Sequence, residues 1–165
     1  MQVRRLVAAD APVYRAVRLR ALREHPEAFT SSYEEDAAQP VAMAAQRLGS
    51  AEFAAWGAFE GEALYGILGL ERERRAKNRH KGIVVGMYVA PEVVRHGVGR
   101  ALLDALVAHA RAIGIQSLVL TVTEGNASAQ ALYEQAGFRS MGVEPDAIRV
   151  GGRSYAKNHM HLDLR

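Results

Sequence analysis

Residues 94–99 read Val-Arg-His-Gly-Val-Gly and are followed by Arg100. They lie between an apolar run that ends at Pro91 and the helical repeat of Val98, Leu102, Leu103, Leu106, Val107, Ala110 and Ile113. A helix start leaves its first N–H groups without intrahelical partners and carries the positive end of the helix dipole. Gly97 and Gly99 let that backbone approach an anion without Cβ interference, so strand, glycine turn and helix predict a phosphate-binding corner. A glycine-containing helix start that binds nothing has the same appearance at this level. A dinucleotide fingerprint would need a third glycine where Leu102 stands, and a Walker loop would need Lys-Ser/Thr after Gly99, where Arg100 stands; both nucleotide folds are disfavoured.

The same window resembles the acyl-CoA-binding signature of the GNAT superfamily of N-acyltransferases, Gln/Arg-x-x-Gly-x-Gly/Ala after a central strand. Gly97 and Gly99 match, as does the strand-to-turn stretch Met87-Tyr88-Val89-Ala90-Pro91-Glu92, while Val94 departs from the Gln/Arg slot. A second block, from Asn126 to Phe138 with Leu132-Tyr133-Glu134 and Gly137, is similar to the family's Asn-x-x-Ala-x-x-Leu-Tyr-Glu-x-x-Gly-Phe helix. The resemblance covers residues 82–138. It implies an α/β domain of the α+β type over residues 1–165, with a mixed, mostly antiparallel sheet, one parallel crossover and about four helices. It also implies acetyl-CoA as cosubstrate, no metal, and an amine acceptor, either a small molecule or a protein amine. By the same resemblance Tyr133 is the general acid, the Met87 main-chain N–H is the oxyanion donor, and Asn126 contacts the pantetheine arm. Cofactor contacts are expected from Met87, Tyr88, Val89, Arg95, His96, Gly97, Val98, Gly99, Arg100, Asn126 and Ser128.

Acyl transfer to an amine needs the free base, and an amine of pKa near 10.4 is neutral in only about one molecule in a few thousand at pH 7. Some family members carry a glutamate four residues before the oxyanion donor, where this chain has Ile83. Glu71, Glu73, Glu124 and His80 are the remaining candidates, acting directly or through water, and Glu124 just ahead of Asn126 is the nominated base. Each also reads as a solvated surface group, and Tyr133 as a half-buried helix tyrosine. Strand alternation puts Ile83, Val85, Met87 and Val89 on one face, which plain core packing also explains. With no cysteine and no Gly-x-Ser-x-Gly elbow, an acyl-enzyme is excluded in favour of direct attack in a ternary complex.

Arg72, Arg74, Arg75, Lys77, Arg79 and Lys81 crowd a short segment that suits a solvated hairpin connection or, as the alternative, a nucleic-acid contact. No aromatic residue interleaves there, so base stacking is unsupported and nucleic acid is not the expected partner. His159 and His161 share a strand face without a third metal ligand. Residues 29–39 read as a loop in which Ser31, Ser32, Tyr33, Glu34, Glu35 and Asp36 could shape an acceptor site, the acids attracting a cationic amine. A non-catalytic CoA-binding scaffold is the other reading of the whole pattern.

These residues need elements to hold them. Residues 2–7 predict a strand, Asp10 caps a helix that runs to about Arg23, and a second helix spans about 40–48. Strands at 53–60 and 63–71 flank Glu60-Gly61-Glu62, a third runs over 82–90, and a helix from Val98 stops at Gly114. A strand at 117–123, a helix over about 127–136 stopped by Gly137, and two strands around Gly151-Gly152 complete the chain. The 165 residues are 49% hydrophobic and 24% charged with a formal net charge of +3, which suits one globular unit and is too mild a charge for chromatin. No apolar run reaches the length of a membrane span and no signal peptide is expected, so a cytoplasmic protein is expected, with a homodimer among the arrangements it permits.

Overall fold

Gly61, at φ +60°, turns the chain between two strands whose ends pair Glu60 with Ala63, and Gly151 and Gly152, at +56° and +78°, do the same between Val150 and Arg153. Both are two-residue turns that need positive φ to match strand twist. The computed structural model describes residues 1–165. In chain order its elements are β1 (Gln2–Arg5), α1 (Ala11–Glu24), α2 (Tyr33–Ala37), α3 (Val41–Leu48), β2 (Phe53–Glu60), β3 (Ala63–Arg72), β4 (Lys81–Val89), α4 (Val98–Ala112), β5 (Ser117–Thr123), α5 (Ala127–Gln135), β6 (Arg139–Val150) and β7 (Arg153–Asp163). The strands form one seven-stranded sheet in the order β1-β2-β3-β4-β5-β7-β6.

Only β4 and β5 are parallel, joined through α4, so the mixed, mostly antiparallel sheet with one crossover is as expected. Leu102, Leu103 and Leu106 of α4 are fully buried against Leu68, Leu118 and Met160 on one sheet face. The opposite face buries Leu22 of α1 and Leu48 of α3 against Phe53, Ile67 and Tyr88. Gly114 closes α4 at φ +83°, with the Ile115 N–H donating to the Ala110 carbonyl over 2.9 Å, the left-handed stop its sequence predicts.

Three local readings are corrected. Residues 33–37 are helical rather than loop, because the Ser32 hydroxyl accepts from the Glu35 N–H (3.1 Å) while the Glu35 carboxylate accepts from the Ser32 N–H (2.9 Å), a capping box. Asp10 does not cap α1 with its side chain; its carboxylate accepts instead from Arg4 and from the Val7 N–H. The odd residues of β4 do not share one face. At Gly86, φ +67°, the register with β3 slips between Ile67 and Gly69, a bulge that sends Met87 and Val89 into the α4-side core while Val85 and Tyr88 pack toward α1.

Candidate active site

β4 and β5 pair at only three positions, Lys81 with Ser117, Gly82 with Leu118 and Ile83 with Val119, and then diverge. Past Ile83 the β4 edge facing β5 therefore has no strand partner, and the bulge at Gly86 widens the gap. A cavity of about 560 Å³ occupies this wedge and is lined from both sides of the sheet. Leu120, Val122 and Tyr133 reach it from the α4–α5 side, and Glu71, Ile83, Val119 and His159 from the α1 side. Gly86 and Met87 stand between the two sets. The cavity thus draws its walls from both faces of the sheet, with the bulge between them.

On the α4–α5 side, Arg95 (φ 70°) and Gly97 (φ 73°) both take the left-handed conformation, and α4 begins after Gly97 with no side chain capping its free N–H groups. Nothing lies within 4 Å of where a Gly97 Cβ would stand, so the turn faces open space in front of a helix N-terminus, a fit for a phosphate group. A Cβ on Gly99 would come 3.1 Å from Leu132 and 3.8 Å from Val89, which presses the glycine turn against α5 and β4. The two sequence blocks are thus neighbours in space. Arg95, His96 and Arg100 are exposed, and Arg100 pairs with Asp104 at 2.8 Å.

Asn126 caps α5 through its Oδ1, which accepts from the Ala129 N–H (3.3 Å) and from the Ser128 hydroxyl (3.3 Å), so its amide nitrogen is what remains for the cavity it lines. Tyr133 is 6% exposed, and burial raises its phenol above the ordinary range. Its ring meets Phe138 edge-on at 5.8 Å, and its hydroxyl has no partner inside the protein. Tyr88 turns away from the cavity into the α1-side core, where its hydroxyl donates over 2.6 Å to the exposed Glu24 at the end of α1, leaving only its main chain near the wedge.

The acids distribute unevenly. Glu71 lines the cavity, lies opposite Ile83 in the β3–β4 register, and accepts from Arg47 at 2.6 Å. Side chains opposite one another in an antiparallel pair share a face, so this carboxylate flanks the position where the family resemblance places a glutamate. Glu124, Glu73 and His80 lie outside the cavity lining, and Glu124 is exposed. The loop acids are engaged elsewhere: Asp36 pairs with Arg18 at 3.1 Å and Glu35 serves the α2 cap. His159 pairs with Glu144 at 2.8 Å, and no three His, Asp or Glu side chains gather as a metal site.

Three cations in the lining were not singled out by the sequence, Arg47, which holds Glu71, and two others. Lys157 is buried, its ammonium donating to the Thr30 hydroxyl over 2.9 Å, and Arg18 reaches to 3.2 Å from where a Gly86 Cβ would stand. Lys157 sits two residues before His159 and shares its strand face, so alternation was the available signal, yet a lone lysine in a strand ordinarily reads as surface.

Residues 18–138 match the model of the Acetyltransferase (GNAT) family. A mycothiol acetyltransferase of Geodermatophilus obscurus is 38% identical over 63 residues, 38% of this chain and 20% of that protein. An L-methionine sulfoximine/L-methionine sulfone acetyltransferase of Pseudomonas aeruginosa is 33% identical over 78 residues, 47% of this chain and 45% of that protein. The matches therefore span about a fifth to under a half of those relatives' lengths. The structure of yncA from Salmonella typhimurium with its cofactor acetyl-CoA superposes with a TM-score of 0.82 at 23% identity, covering 100% of this chain and 94% of that one.

Proposed function

Because the chain belongs to the Acetyltransferase (GNAT) family, we propose that it transfers an acetyl group from acetyl-CoA to a primary amine by direct attack while both substrates are bound. The observation that carries this reading is the wedge between β4 and β5, where Met87, Asn126 and Tyr133 line one cavity with Glu71 and Ile83.

The free N–H groups at the start of α4 and the open space before Gly97 suit the pyrophosphate of CoA, with Arg95 supplying charge at the rim. From there the pantetheine arm passes the Asn126 amide and adds along the unpaired edge of β4, as a strand would. The Met87 N–H, just past the bulge, is the donor for the oxygen of the thioester carbonyl as it takes up negative charge. The amine nitrogen forms its bond to the carbonyl carbon, the carbon–sulfur bond breaks, and the electron pair leaves on sulfur. Tyr133, kept protonated by burial, gives its proton to that sulfur, and bulk water restores it. The proton lost by the amine passes to Glu71 through water, a better placed acceptor than the exposed Glu124.

Calorimetric titration with acetyl-CoA, followed by amine-dependent release of CoA thiol from the same preparation, tests this. Binding at a single site with thiol release that depends on an amine is the expected result. No binding overturns the reading, and binding without turnover on any amine reduces it to a CoA-binding scaffold.

A further inference from the structure

Lys157 is the only charged residue in the buried set, at 7% exposure. An ammonium removed from water is costly unless an anion and hydrogen-bond acceptors replace the solvent. Here the ammonium has three donors and one protein acceptor, the Thr30 hydroxyl at 2.9 Å, and no carboxylate within ion-pair distance. Glu144, on the neighbouring strand, acts on it electrostatically but bonds to His159 at 2.8 Å. Burial lowers the lysine's proton affinity, the expected consequence of a charge placed where the protein supplies no counter-ion.

The surroundings add positive charge. Arg18 uses its Nε for Asp36, which leaves its Nη1 beside Gly86 at the bulge. The one carboxylate in the cavity lining, Glu71, is held by Arg47. An apolar stretch of wall lies on the same side: Phe29, next to Thr30 and under the Arg18 guanidinium at 5.1 Å, with Phe53, Ile67 and Tyr14. Such a pocket repels a polycation and accommodates an anionic group attached to an apolar body.

We propose that the acceptor is a primary amine bearing a carboxylate and an apolar side chain, an amino acid, with its carboxylate held by Lys157 at the α1-side mouth of the cavity. This rests on acetyl transfer at the same site. The placement divides the labour: Lys157 and Thr30 fix the carboxylate, the aromatic wall takes the side chain, and the amine points at the bulge. Arg18 beside that amine favours its uncharged form, since a neighbouring cation disfavours a second one. Lys157 is thereby a specificity-determining residue that reads the acceptor and does no chemistry on it.

The test compares matched acceptors by thiol release: phenylalanine with phenethylamine, methionine with 3-(methylthio)propylamine, together with spermidine and an alanyl peptide amide. Comparing wild type with Lys157→Met cancels each amine's own basicity. The expected result is that the carboxylate-to-decarboxylated ratio of kcat/KM falls about 10- to 100-fold in Lys157→Met, the scale of one charge-assisted hydrogen bond, and is largely restored in Lys157→Arg. A ratio unmoved by Lys157→Met, or a preference for spermidine or the peptide amide, overturns the proposal. Thermal shift with CoA and 3-phenylpropanoate gives a reading independent of turnover: wild type rises in Tm, Lys157→Met does not, and no rise in wild type overturns the proposal. Acetyl-CoA titration of each variant reports the fold, and its failure in wild type overturns the acetyl-transfer reading itself rather than the acceptor class alone.

Discussion

Tyr133, the acid of the proposed mechanism, illustrates what burial does to a phenol. Desolvation disfavours the phenolate, so over the working pH range the group has a proton to give and none to take. Tyr133→Phe is expected to lower kcat about 100-fold with the acetyl-CoA Kd unmoved, read by stopped-time thiol release against calorimetry. Glu71→Gln is expected to cut kcat/KM about 10- to 100-fold, while Glu124→Gln leaves it within about twofold; the reverse order would return the base to Glu124. Lys157 supplies a stability prediction. Its pKa is lowered from the ordinary 10.5, so the unfolded chain holds that proton more tightly than the folded one and stability rises with pH between the folded value and 10.5. Below the folded value the burial cost is fully present, and Lys157→Met is expected to raise Tm there, with the gain shrinking toward pH 10.5. The places of Tyr133 and Met87 in the cavity lining were legible because each sits in a motif of fixed spacing. Glu71 became a placed candidate only through its register with Ile83, and Lys157 not at all, since burial of a lone lysine is decided by elements far from it in the chain.

At the scale of elements, β4 shows where periodicity misleads. A reading with period two assumes an uninterrupted strand, and one inserted residue at Gly86 reverses the faces of everything after it. The glycine was itself the available signal, because a glycine inside an apolar strand marks a bulge or a close approach. Gly86→Val would place a side chain at φ +67°, 3.2 Å from Arg18, straining the backbone by about 1–2 kcal/mol and pressing the bulge to revert to regular pleat. Activity is expected to fall by at least about tenfold while far-ultraviolet circular dichroism stays that of the wild type, since pairing would improve as Met87 loses its direction. The α2 helix was legible too, in Ser32 and Glu35 at capping-box spacing, but five residues give too weak a period to register. Gly97→Glu tests the other functional turn. A carboxylate in open space before α4 is expected to abolish acetyl-CoA binding in a titration, while the unfolding free energy falls by only about 1 kcal/mol, the cost of a strained left-handed residue.

For the molecule as a whole, the succession of elements and the single parallel crossover were legible because hairpin glycines and helix stops punctuate the chain, whereas the place of β7 between β5 and β6 was not, nor was the wedge. That wedge depends on β4 and β5 parting after three pairs, and no local pattern in either strand encodes the angle at which two partners separate. Its consequence is kinetic and topological. On the proposed arrangement, with CoA on the α4–α5 side and the acceptor on the α1 side, neither blocks the other's exit, so free CoA is expected to compete with acetyl-CoA and to inhibit noncompetitively against the amine. A single molecule that joined the two, threaded through the gap with a bulky group on each side, would be a bolt through a plate: each end would hold the other at high effective concentration, and release would require both grips to fail together.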